Sequence, residues 1–189
     1  MSVLRPVAVD ELRRQPWANG AGVTTEIACG PQPDAWQWRL SIADIENAAS
    51  FSTFADARRQ FVPLDAPVEL TFPDGRTQFL NRFDLAKFSG DDAPHAGLPE
   101  GGTRAFNLML RGDVQGELVA RPLHGAMVLL APKGWHWFVL LLAGQAKVIA
   151  DHLSHTLAPN DMVWIDPIPT HPVRIEGGGE IVLARLPAD

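Results

Sequence analysis

The chain of 189 residues carries a single cysteine, Cys29, so no disulfide can close within it. That fits a reducing cytoplasm. It also lacks a basic stripe: the formal charge is −6, and Arg13-Arg14 and Arg58-Arg59 are isolated pairs. Phosphate-binding surfaces need clustered cations, so nucleic acid is not an expected partner. Long hydrophobic runs are missing too. The longest, Trp135 to Ala143, contains His136 and is too short to span a bilayer, so no membrane partner is expected. The stretch Met1 to Pro6 lacks the charged and apolar layout of a signal peptide. No glycine-rich phosphate loop and no serine or cysteine at a strand-to-helix elbow is present. Nothing near Cys29 in sequence would lower its pKa, so it is not expected to act as a nucleophile.

What is present reads as short strands. Sixteen prolines and sixteen glycines are scattered along the chain and punctuate it into brief segments, the pattern of an all-β sandwich or barrel. Only Val9 to Gln15 reads as helical, with Asp10 as N-cap and Pro16 as stop. Trp36 to Ala43 alternates, with Trp36, Trp38, Leu40 and Ile42 on one face and Gln37, Arg39 and Ser41 on the other. Phe51 to Phe54, Gln60 to Leu64 and Arg104 to Arg111 read as further strands. Val68 to Leu80 reads as a hairpin around Pro73-Asp74-Gly75. Ser89 to Gly102 reads as a connecting loop, and Gly177-Gly178-Gly179 as a hairpin turn before the last strand.

One pattern is doubled. Phe61-Val62-Pro63-Leu64-Asp65-Ala66 is echoed 77 positions later by Phe138-Val139-Leu140-Leu141-Leu142-Ala143, and Leu80 and Asp84 by Leu157 and Asp161. The echo predicts two β-rich units, an N-terminal one over residues 1–110 and a C-terminal one over 111–189. Exchange of strands between them, within one compact domain, is compatible with this layout.

Few residues suggest metal or acid–base chemistry. His152 and His155 fall on opposite faces of a strand or turn, which suits an exposed hairpin better than a metal site. His136 sits in an apolar strand and His171 follows a proline-rich turn. Arg39 is more informative: it shares a face with Ser41 on a strand whose other face is apolar. A guanidinium so placed requires a partner, either an internal acid such as Glu26 or a ligand carboxylate held bidentately. Asn107 and Arg59 could belong to the same polar group, or the whole face could be a paired surface without a ligand.

The segments Trp17-Ala18-Asn19-Gly20-Ala21-Gly22-Val23-Thr24, Trp38 to Ala43, Phe51 to Phe54 with Arg59, Phe88-Ser89-Gly90-Asp91, and Phe106 to Met109 together resemble successive motifs of the HutD/Ves family. The resemblance covers roughly the first 110 residues, and departs at Ala21, Asp56 and Ala66, where glycine is expected. It implies a bicupin, two small antiparallel β-barrel or jelly-roll units with few short helices, and a link to bacterial histidine utilisation. Many cupins hold a metal with two histidines and a glutamate in one motif and a histidine in the next. Phe51 to Ala66 has no histidine, so neither a metal nor another cofactor is expected. The leading expectation is a metal-free binding bicupin with an accessory or regulatory role. Arg39 would clamp a small carboxylate, Ser41, Asn107 and Arg59 would add hydrogen bonds, and Thr24 and Glu26 would lie near the mouth or behind the arginine. The alternative is a cupin hydrolase or isomerase using His136 or His171 as acid or base. Exposed edge strands make a homodimer a further expectation.

Overall fold

A computed structural model describes residues 3–130, 133–166 and 172–188. It is almost wholly strand, in antiparallel sheets. The chain runs through β1 (Leu4–Pro6), a 3-10 turn (Val9–Glu11), β2 (Arg13–Pro16), β3 (Gly22–Gly30), a second 3-10 turn (Pro33–Ala35), β4 (Trp38–Ile45), β5 (Ala49–Ser50) and β6 (Ala57–Pro63). It continues with β7 (Val68–Thr71), β8 (Thr77–Leu80), β9 (Ala86–Ser89), β10 (His95–Gly97) and β11 (Thr103–Arg111). The last strands are β12 (Glu117–Leu129), β13 (Trp135–Ala150), β14 (Leu153–Leu157), β15 (Met162–Ile165) and β16 (Val173–Pro187). Among the described residues no helix is long and apolar enough to cross a membrane.

The chain divides into two compact units. The first is Leu12–Gln115. Its six-stranded sheet, in the order β2-β3-β4-β11-β6-β9, and its four-stranded sheet, β5-β10-β7-β8, share one core. That core includes Phe51, Phe61, Val68, Leu70, Phe72, Leu80 and Phe88. Burial of one such phenyl side chain is worth about 1.5–3 kcal/mol. The second unit joins the N-terminal stretch through Glu11 to the chain from Gly116 onward. Its sheet runs β1-β15-β13-β16-β12, with β14 added along the second half of β13.

Several expectations are corrected. Val9 to Gln15 is not a helix. It is a 3-10 turn followed by β2, whose residues from Arg13 to Pro16 pair with β3 from Glu26 back to Val23. Two turns of isolated helix are marginal, and strand pairing overrides them. Phe51 to Phe54 is loop rather than strand, tied by Phe51 N–H to the Pro94 carbonyl and Phe54 N–H to the Gly90 carbonyl. The supposed connecting loop holds β10, paired on both sides. Gly177 to Gly179 is no hairpin turn but the middle of β16, paired with β12 on one side and β13 on the other. A Cβ at Gly179 would overlap the Ala143 carbonyl oxygen, and one at Gly177 the Gln145 carbonyl oxygen. Glycine is there because the strands approach too closely for a side chain.

The doubled pattern holds at the turn. Leu80 and Leu157 are buried, and Phe83 and Asn160 both have φ of 72°. The carboxylates of Asp84 and Asp161 accept the N–H groups of Asn81 and Ala158, each at 2.8 Å. In the strands the repeat slips by one. Phe83 N–H donates to the Pro63 carbonyl, but Asn160 N–H donates to that of Leu141. Phe61 therefore corresponds to Val139, not to Phe138. A one-residue slip turns every side chain to the opposite face. Phe61 and Val139 lie in the cores of their units, while Phe138 packs edge-on against Trp164.

Candidate functional site

In the six-stranded sheet of the first unit, β3, β4, β11 and β6 lie side by side. Their register sets two polar rows on one face. Glu26, Ser41, Asn107 and Phe61 form one row, and Cys29, Arg39, Met109 and Arg59 the next. The other face carries Leu40, Ile42, Phe106 and Leu108 and is also buried. Over the polar face lies a cavity of about 470 Å³. Arg39, Ser41, Asn107, Arg59 and Thr24 line it, together with Phe61, Met109, Phe51, Phe54 and the loop Gln15 to Asn19. The structure thus brings five of the six predicted residues to one wall. Glu26 is not among the lining residues and stands beside Arg39.

Arg59 is the unusual member. It is 5% exposed, and among the described residues no carboxylate reaches it. Its Nη2 donates to Asn107 Oδ1 at 3.0 Å, whereas Nε and Nη1 are sealed from solvent without a hydrogen-bond acceptor. The guanidinium instead sits among the rings of Phe51, Phe88 and Phe54, at 4.9, 5.1 and 5.8 Å from their centroids. Such contacts return about 0.5–2 kcal/mol each, against a desolvation cost of several kcal/mol for a buried ion. Burial first, and then the nearby charge of Arg39, push the Arg59 pKa down to about 10. The group stays cationic at neutral pH, with no acid to balance it.

Arg39 already has its acid. Its Nε donates to Glu26 Oε2 at 2.6 Å. This pair uses Nε alone, which leaves the two Nη groups at the cavity wall. Asn107 is 3% exposed, and its carbonyl is committed to Arg59. Its Nδ2 is thereby turned outward as a donor. Thr24 Oγ1 accepts the indole N–H of Trp17 at 2.7 Å, which fixes that ring at the rim against Phe51. Arg39 and Asn107 offer donors to the cavity, Arg59 adds a cation behind them, and the hydroxyls of Ser41 and Thr24 can donate or accept, a wall that suits an anion.

The family-like motifs acquire physical reasons here. Asn19 Oδ1 accepts the Ala21 N–H and closes the turn, and Gly22 leaves no room for a Cβ beneath the Asp44 carbonyl. Gly90 lies equally close to the Phe54 carbonyl, which ties the Phe51–Phe54 loop to the end of β9. Asp56, where glycine was expected, adopts φ of 57°, a conformation aspartate tolerates. Sequence reasoning did not assign the aromatic cage of Arg59 to the site. The signal was there in Phe51, Phe54 and Phe88, three aromatic motif positions recurring beside one arginine. No local pattern shows that they converge.

The remaining candidates lie elsewhere. His136 is buried against Trp164, with ring centroids 4.6 Å apart, and does not line the cavity. His171 lies outside the described residues. His152 is exposed and His155 is half-buried. Cys29 faces Arg39 in register, but burial first and then Glu26 push its pKa up, away from a reactive thiolate. Among the described residues no three of His, Cys, Asp and Glu converge as metal ligands, so the side chains do not fit the metal site of many cupins.

Similarity to known proteins follows the same ground. A Pseudomonas putida protein described as an uncharacterized 21.2 kDa protein in the hutC 3' region is 39% identical over 112 residues. That match covers 58% of this chain and 59% of that protein. Protein Ves of Citrobacter koseri is 36% identical over 109 residues, 54% of this chain and 57% of Ves. The chain thus aligns with little more than half the length of these relatives. Among solved structures, a conserved protein of unknown function from Pseudomonas aeruginosa PAO1 superposes with a TM-score of 0.85, 25% identity and full coverage of both chains. HutD from Pseudomonas fluorescens SBW25 gives 0.80 at 24% identity, covering 98% of this chain and all of that one. The Escherichia coli pirin YhhW, in complex with nickel(II), shares the fold alone, with a TM-score of 0.69 at 12% identity over 98% of this chain and all of YhhW. The HutD family matches residues 9–183, through both units, and the chain belongs to that family.

Proposed function

We propose that this chain is an accessory or regulatory protein of histidine utilisation that binds a small carboxylate in the cavity of its first unit. The observation that carries the reading is Arg59, a buried cation without an acid, beside a wall of hydrogen-bond donors. A ligand carboxylate would accept from the two Nη groups of Arg39, the bidentate arrangement that guanidinium favours. Asn107 Nδ2 and the Ser41 hydroxyl would add donors, and Arg59 would supply charge from behind Asn107. The family and the hutC-region relative support the pathway. Candidate ligands are urocanate or an N-substituted glutamate, met in the cytoplasm, a compartment that suits the lone Cys29.

Calorimetry tests the reading directly. Wild type should bind at least one of these acids, and Arg39→Ala should weaken that binding by about 2 kcal/mol, the range for a charged hydrogen bond. The bound acid should also raise the thermal midpoint, because it balances Arg59. The proposal fails if no pathway acid binds.

A further inference from the structure

The geometry points to a second, uncharged end in the same cavity, so that the acid it takes carries a neutral hydrogen-bonding group, an amide or a ring nitrogen, away from its carboxylate. This rests on the carboxylate-binding reading above. Both charged lining residues stand in one row of the sheet, Arg59 and Arg39 with Met109 between them. Ser41 and Asn107 form the row beside it. One row further on come Gln15, Thr24 and Ala43, in register across β2, β3 and β4. Arg39 and Ala43 are four residues apart on β4, roughly 13 Å at the rise of an extended strand. Beyond Gln15 the chain leaves β2 and lines the cavity as far as Asn19.

Along this path charge gives way to neutral polarity. Asn19 Oδ1 accepts the Ala21 N–H at 3.0 Å, which fixes the amide and leaves Nδ2 as a donor. Gln15 offers both a donor and an acceptor. Ser50 and Ser52 flank Phe51, whose ring meets that of Trp17 edge-on, and both add hydroxyls to the lining. Among the described residues no acid and no lysine lines the cavity. Arg13, opposite Glu26 on the edge strand β2, is exposed and outside the lining, so it sets a cation at the open edge of the sheet without charging this end. A ligand that covers amides and hydroxyls with bare alkyl strips their water and returns nothing, whereas a neutral polar group replaces it. Trp17, Phe51 and Phe61 take the part of the ligand between the two ends. The ring of urocanate and an acyl group on the nitrogen of a glutamate both belong to this class.

4-Acetamidobutanoate and heptanoate have equal charge and equal chain length and differ by an amide in place of one ethylene unit. They serve as probes in calorimetry on the full chain at pH 7. In an apolar cavity the amide would lose its water for nothing and heptanoate would bind more tightly. Here 4-acetamidobutanoate should bind at least about fivefold more tightly than heptanoate, the return of one hydrogen bond. Gln15→Met together with Asn19→Ser removes both amides, and the serine keeps an acceptor for the Ala21 N–H. That double variant should lose the preference and bind heptanoate nearly as before. Equal or tighter heptanoate binding by wild type, or an unchanged ratio in the folded variant, overturns the neutral end while the carboxylate reading stands. If neither probe binds but a pathway acid does, the neutral end fails alone; if no acid binds, the carboxylate reading fails with it. The wild-type ratio decides even if the variant does not fold.

Discussion

The two units solve one packing problem with different residues. In the first, Arg59, Met109 and Arg39 stand in one row across β6, β11 and β4. The matching row of the second, across β13, β16 and β12, is Trp137, Arg185 and Glu117. There a single arginine lies near Trp135 and Trp137 and meets Glu117 at 2.9 Å, so the row balances its own charge. In the next row Phe61, Asn107 and Ser41 correspond to Val139, Leu183 and Val119. The second unit is apolar and neutral where the first is polar and left with a cation. A shared scaffold therefore says little about ligand capacity, which lies in the charge left unbalanced on it.

The sharpest way to break this contrast is at the glycines of the second unit. Gly179→Ala forces a Cβ onto a backbone carbonyl at φ of 141° and should cost at least about 3 kcal/mol, read by urea unfolding. A cost below 1 kcal/mol would mean that β13 and β16 part easily.

The two arginines should respond with opposite sign. Arg59→Met removes a buried, unbalanced ion and should stabilise the protein by about 1–3 kcal/mol while carboxylate binding is lost. Arg185→Met breaks a pair whose acid is largely exposed, and should destabilise by less than about 1 kcal/mol. Denaturation of both variants, with calorimetry on the first, checks this. Destabilisation by Arg59→Met would show that its ring contacts outweigh its desolvation.

The repeated turn should respond alike in both units. Asp84→Ala and Asp161→Ala each remove one backbone hydrogen bond, Asp84→Ala also an exposed one from Asn81 Nδ2, and each should cost about 1 kcal/mol. A marked difference between them would show that the repeat is one of shape without shared energetics.

The smallest effect concerns acid. Hydrogen bonds from Arg104, above all from its guanidinium, hold the Asp65 pKa below the ordinary 3.8. A carboxylate depressed in the folded state contributes stability that is complete above its unfolded pKa and is lost as pH falls through the folded one. The unfolding free energy of the wild type should therefore decline from about pH 4 downward, and Asp65→Asn should flatten part of that slope. Denaturant titrations between pH 5 and 2.5 would show it, and an unchanged slope would discount the pair.

Much of the first unit was legible in sequence because its signals are local. The alternation of Trp36 to Ala43 placed Arg39 and Ser41 together, and the motif series carried Asn107, Arg59 and Thr24 to the same wall. What stayed hidden depended on distant strands. Gly177 to Gly179 carry the composition of a turn, and only the approach of β13 shows them as strand. Phe138 looks like the copy of Phe61 until the hydrogen bond of Asn160 reveals the slip. Half of the charge balance was legible: Glu26 was one of the two partners the strand pattern offered Arg39, and the folded sheet pairs them, whereas nothing in the sequence shows that Arg59 is left without an acid.

The pairing of β1 with β15 bears on how the molecule is made. Leu4 lies opposite Ile165, so β1 is synthesised long before its neighbour β15. Leu12–Gln115 is one continuous stretch, and every strand it needs has been synthesised before β12 begins. The unit that carries the cavity can be complete while its sister still waits, with Leu4–Pro6 held as an open edge until translation has passed residue 165.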